Sequence, residues 1–69
     1  MNDLDLRDLV LEALEFKPDI NAACIRVTVN GGVVKLEGKV HLLREREVVE
    51  RAAWSEPGVS KVEDYLLIA

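Results

Sequence analysis

The stretch from Val27 to Val40, Val-Thr-Val-Asn-Gly-Gly-Val-Val-Lys-Leu-Glu-Gly-Lys-Val, leaves this chain few ways to fold. Apolar and polar residues alternate on both sides of Asn30-Gly31-Gly32, the period of strands with one covered face. Asn-Gly is the strongest short hairpin signal because both residues tolerate positive φ, and the extra Gly32 permits a longer loop or a bulge. In the first strand, Cys24–Asn30, Ile25, Val27 and Val29 share one face while Arg26, Thr28 and Asn30 share the other. In the second, Val33–Val40, Val34, Leu36, Gly38 and Val40 oppose Val33, Lys35, Glu37 and Lys39. A glycine on the covered face of a strand marks close approach of another element, so a helix is expected to pass directly over Gly38.

The flanks read as helices and one further strand. From Asn2 to Phe16, Leu6, Leu9, Val10, Ala13 and Leu14 form one apolar stripe. Asn2 or Asp3 can cap this helix, Asp5 and Asp8 suit its positive end, and Pro18 ends it at Lys17. Asp19–Ala23 is a connector with Ile20 tucked under the helix. The second helix, Leu42–Glu56, buries Leu42, Val49, Ala52 and Ala53, and its N-cap is weak because His41 is a poor capping residue. Glu45 falls near the buried stripe and belongs at its periphery. Pro57-Gly58 stops this helix, and Lys61–Ile68 is the third strand, with Val62, Asp64, Leu66 and Ile68 on one face.

The order is therefore α-β-β-α-β, an α+β fold with a three-stranded mixed sheet and two helices packed on one face. Strands two and three, joined through a helix, should run parallel in the order 1-2-3. The alternative order, 2-1-3, would be wholly antiparallel. A chain of 69 residues forms one small domain, 1–69, burying about 60% of its unfolded surface. With one Phe, one Trp and one Tyr, its core must be aliphatic.

Charge narrows the function classes. The net charge of −4 disfavours generic nucleic-acid binding, whose affinity comes from Lys and Arg. Yet residues 24–44 carry four basic groups against one acidic, between two acidic segments. The uncovered sheet face would display Arg26, Lys35, Lys39 and Lys61 beside Tyr65, Leu67 and Val33. Lys35 and Lys39 lie roughly 13–14 Å apart on one strand, with Glu37 between them. Such a pattern is either a solvated set of cross-strand charges or a site for an anionic head group or a partner domain. Trp54 falls on the far side of its helix from Val49, Ala52 and Ala53 and is expected to be partly exposed.

Catalysis has little to work with. His41 is the only histidine and has no nucleophile or metal-ligand company in the sequence. The lone Cys24 reads as a small, half-buried thiol. Gly31-Gly32 lacks the following helix and Lys-Ser/Thr of a phosphate loop. No cofactor or metal is expected. There is no apolar run of membrane-spanning length.

Taken together, the Leu6–Leu14 helix, the Ile25–Val40 hairpin with its Leu36-x-Gly38-x-Val40 ending, Ala52-Ala53, Pro57-Gly58-Val59, Val62, Leu66 and Ile68 resemble the BON domain, the bacterial osmotic-shock-protein and nodulation domain. The chain departs from that pattern at Asp64, where the family often has Asn, and at Val49, where a smaller residue is more typical. The resemblance implies the same α-β-β-α-β order. It also implies a non-enzymatic module that attaches its parent protein to phospholipid surfaces of the cell envelope. On the open face, Arg26, Lys35, Lys39, Lys61, Tyr65 and Leu67, with Trp54 on the helix side, are the candidates for contact with phospholipid head groups. The alternative is docking of the open face onto another domain or a second copy. A periplasmic or envelope location is expected if the chain is excised from a longer precursor, and a cytoplasmic one if it is complete.

Overall fold

The computed structural model describes residues 2–18 and 20–69. Its elements are α1 (Asp3–Glu15), a 3-10 turn (Ala22–Cys24), β1 (Ile25–Asn30), β2 (Val33–Val40), α2 (Leu43–Trp54) and β3 (Lys61–Ile68). The sheet order is β1-β2-β3, antiparallel between β1 and β2 and parallel between β2 and β3. Both helices lie on one face: α1 rests on β1, α2 rests on β2 and β3, and the helices touch each other. Of the expected connector Asp19–Ala23, Asp19 lies outside the described residues, and Asn21 starts a helical turn by accepting from the Ala23 N–H at 3.2 Å.

The core is aliphatic. Val10, Leu14, Val34, Leu36, Val49 and Ala53 are fully buried, and Ile20 joins them beneath α1. Burying one Val or Leu side chain contributes about 1.5–3 kcal/mol, so the central strand and the facing helical stripes carry much of the stability. Asn2 caps α1, its Oδ1 accepting from the Asp5 N–H at 2.8 Å.

The start of α2 differs from expectation. Leu42, not His41, is the N-cap, and its side chain makes no capping bond. Glu45 caps instead: its Oε1 accepts from the His41 N–H at 2.8 Å and the Leu42 N–H at 2.9 Å. This is the returning half of a capping box, with leucine where Ser or Thr would supply the other half. The two backbone donors, His41 first, hold the Glu45 carboxyl below its ordinary value of about 4.5. A depressed folded value gives stability that is present above that ordinary value and lost as pH falls through the folded one. Glu45→Ala should therefore lower Tm by several degrees near neutral pH, with the deficit closing in thermal melts taken on the acid side of 4.5.

Two glycine positions also correct the sequence reading. The hairpin loop is Gly31-Gly32 alone, with φ of +58° and +83°, rather than a longer loop or a bulge, and Asn30 ends β1 as expected, paired with Val33. Positive φ at both central residues is what a tight type I′ connection demands. Gly38 has φ +129°, and a Cβ there would lie 2.1 Å from the Cys24 carbonyl oxygen. The element crowding Gly38 is thus the main chain entering β1, not a helix passing overhead. Cys24 belongs to the 3-10 turn rather than the strand, and it is exposed rather than half-buried.

The outer side of β1 is tied to α1. Arg7 Nε donates to the Val27 carbonyl at 3.2 Å, and the Gly31 N–H donates to Asp3 Oδ2 at 3.2 Å.

Candidate functional site

The strand register sets the open face in rows. Arg26 lies opposite Glu37, which lies opposite Tyr65; Thr28, Lys35 and Glu63 form the next row; Asn30, Val33 and Lys61 the third. Lys39 and Leu67 pair at the far end of the sheet. Alternation along each strand turns these side chains away from the helices, and Arg26, Lys35, Lys39, Lys61, Tyr65 and Leu67 are all exposed.

The cations are not equivalent. Lys35 Nζ lies 3.8 Å from Glu37 Oε1, and Lys61 Nζ lies 3.8 Å from Glu63 Oε2. Lys35 also sits 5.5 Å from the centre of the Tyr65 ring, in cation–π range. Among the described residues, Arg26 and Lys39 have no carboxylate in salt-bridge range. Four cations against two carboxylates leave this face net positive, and the free charge is concentrated on Arg26 and Lys39.

Trp54 stands apart. It is half-exposed at the end of α2, over a shallow hollow lined by Glu47, Glu50 and Arg51, on the helix side of the sheet. The structure therefore groups six of the seven candidate residues and separates the seventh.

Behind the open face, β3 presents Asp64 toward α2. Its Oδ2 accepts from Arg46 Nε at 3.0 Å and its Oδ1 from the Leu66 N–H at 3.0 Å. The second bond is one an asparagine could also accept, which accounts for either residue type at this position. Glu50, one helical turn beyond Arg46, has its carboxyl pushed above the ordinary value of about 4.5 by a shared proton with Asp64, then by burial and by the Asp64 charge. A raised folded value means that the shared-proton stabilisation is fully present below that ordinary value and is lost as pH rises through the folded one. At neutral pH the two carboxylates repel. Glu50→Gln should raise stability there by about a few tenths of a kcal/mol, the scale of a solvent-screened pair. The gain should vanish in melts recorded below about pH 4.5.

Sequence reasoning did not anticipate this network or the Glu45 cap. The signal for the network was present: an inward-facing Asp64 beside an α2 residue, Arg46, one turn ahead of Val49.

A three-stranded mixed sheet with a helical layer on one side and a bare, charged face on the other defines a two-layer domain of the α+β class. The BON-domain family model matches residues 2–69, essentially the whole chain, and the chain belongs to the BON domain family. No curated protein matches the sequence.

Proposed function

We propose that this domain is a non-catalytic attachment module that holds the protein containing it against an anionic phospholipid surface of the cell envelope. One observation carries the reading: in an acidic domain of the BON family, the uncovered sheet face is net positive, with Arg26 and Lys39 unpaired among the described residues beside Tyr65 and Leu67. Cations draw the face to anionic head groups, at about 1 kcal/mol per Lys or Arg near the surface, and the aromatic and aliphatic side chains suit the interface. Among the described residues no helix is long and apolar enough to cross a membrane.

Co-sedimentation with phosphatidylglycerol-containing vesicles tests this. Binding is expected at low salt and should weaken as the Debye length shrinks. The triple variant Arg26→Gln, Lys35→Gln, Lys39→Gln should bind roughly 30- to 100-fold more weakly. Its unfolding free energy should match the parent's within about 0.5 kcal/mol, because these side chains lie outside the core. Absence of binding at low salt overturns the reading.

The Lys35–Glu37 and Lys61–Glu63 pairs support a second reading. They quench half the cations, which suits a face that docks on another domain or a second copy. Sedimentation at rising protein concentration distinguishes it: self-association abolished by Tyr65→Ser would favour docking.

A further inference from the structure

One end of the molecule carries four exposed apolar side chains that the core does not use. Leu42 is 50% exposed, Leu43 56%, Leu67 62% and Ile68 47%. The register brings Leu67 and Ile68 to one end of the sheet, Leu67 on the open face and Ile68 on the helix face. Lys39 pairs with Leu67 and Val40 with Ile68, the Ala69 N–H donates to the Val40 carbonyl at 2.8 Å, and the chain then turns through His41 directly into Leu42 and Leu43. Exposed single leucines are ordinary, but four large aliphatic side chains exposed around one end of a 69-residue domain call for an occupant.

Leu42 makes the case sharper. It holds the N-cap of α2, where Ser, Thr, Asp or Asn is preferred, and Glu45 three residues on already supplies the returning half of a capping box. A serine here would complete the box. An exposed leucine gives up that bond and buries little in exchange, so its use lies outside the fold.

The rim identifies the occupant. Lys39 on β2 and Arg44 on α2 flank the tip, and neither is in a salt bridge among the described residues. The acid in the first turn of α2, Glu45, is engaged by the His41 and Leu42 N–H groups. Glu47 is the first exposed acid on α2 and stands one turn further from the tip. An isologous contact with a second copy would set these cations against themselves, whereas an anionic bilayer offers phosphates at the rim and hydrocarbon beneath.

We infer that Leu42, Leu43, Leu67 and Ile68 form an insertion tip that enters the interfacial region of an anionic phospholipid bilayer, with Lys39 and Arg44 seated among the head groups. This rests on the membrane-attachment reading and deepens it. The domain meets the surface tip first, its strands inclined, so that the Lys39–Leu67 end of the open face is in contact as well.

The test uses vesicles of phosphatidylglycerol mixed with phosphatidylcholine and of phosphatidylcholine alone, at low and high salt. The variant Leu42→Ser, Leu43→Ser should partition roughly tenfold or more weakly onto the mixed vesicles. Leu42→Ser alone should weaken partitioning several-fold and at the same time raise the thermal midpoint, because serine completes the cap. A folding defect would move both readings down together. Part of the parent's binding should survive high salt, and the double variant should lose that part. Unchanged partitioning of the double variant, with the parent binding well, overturns the insertion tip and leaves attachment by the charged face standing. No binding by the parent overturns both. A parent dimer that the double variant converts to monomer, with vesicle binding unaltered, assigns the patch to self-association and also overturns the inference.

Discussion

Gly38→Ala is expected to remove a third or more of the stability of the domain. The new Cβ would sit 2.1 Å from the Cys24 carbonyl oxygen and 3.2 Å from the Ile25 Cα, both main-chain atoms that cannot rotate aside. The backbone at φ +129° is itself a conformation that only glycine adopts without strain. Relief requires β1 to draw back from β2 at the Ile25–Gly38 pair, which pulls Ile25 out of the core. Together these effects cost about 3 kcal/mol or more. At roughly 0.05–0.15 kcal/mol per residue, a chain of this length has about 3–10 kcal/mol in reserve, so the loss takes a third of it or more. Far-ultraviolet circular dichroism with urea titration checks the result. A Gly38→Ala variant with a parent-like midpoint would show that the entry to β1 is free to shift. Gly31→Ala is the control: nothing lies within 4 Å of its Cβ, so only the φ of +58° penalises it.

Asp64→Ala is the second large effect, with an expected loss of about 2 kcal/mol. The substitution strands the Leu66 N–H in a half-buried strand and removes the charge-assisted bond from Arg46. The side chain of Asp64 is only 9% exposed against 39% for Arg46, so Arg46 recovers hydration while the strand amide does not. Removing Asp64 also ends its repulsion of Glu50, which offsets a small part of the loss. Asp64→Asn should recover about half of it, because the amide oxygen still accepts from Leu66 and the amide group no longer repels Glu50. Denaturant midpoints of the two variants order the contributions. An Asn variant as unstable as Ala would mean that the Arg46 ion pair, not the Leu66 acceptor, carries the interaction.

The contrast between these sites explains how much was legible in the residues alone. Val27, Val29, Val34 and Leu36 announce their face by alternation, a signal that depends only on neighbours along the chain. The helical stripe from Leu6 to Leu14 does the same at its own period. The order α-β-β-α-β and the parallel third strand follow from those local patterns and from connection geometry. What Gly38 approaches is not local. A strand glycine says that something comes near; which element comes depends on how the 3-10 turn at Ala22–Cys24 delivers the chain into β1. Cys24 was misplaced for the same reason, since an apolar residue beside a strand was read as part of it. The cap made by Glu45 was missed because its position was compared with the buried stripe rather than with the free amides one turn ahead. On the open face, alternation places Lys35 and Lys61 outward, but only the folded sheet shows that Glu37 and Glu63 answer them while Arg26 and Lys39 stay unpaired among the described residues.

The guanidinium of Arg7 on the Val27 carbonyl has a consequence for how such domains can be strung together. A bare border strand invites a neighbour to extend the sheet by main-chain pairing, the usual route to fused sheets and aggregates. Here one of the carbonyls that would template such growth is already occupied by a side chain from α1, and the turn amide of Gly31 is held by Asp3. A strand arriving from that side must first evict both. On this border, copies can be crowded at a surface or placed in tandem and remain separate beads, each meeting its partner by face or tip and not by merging backbones.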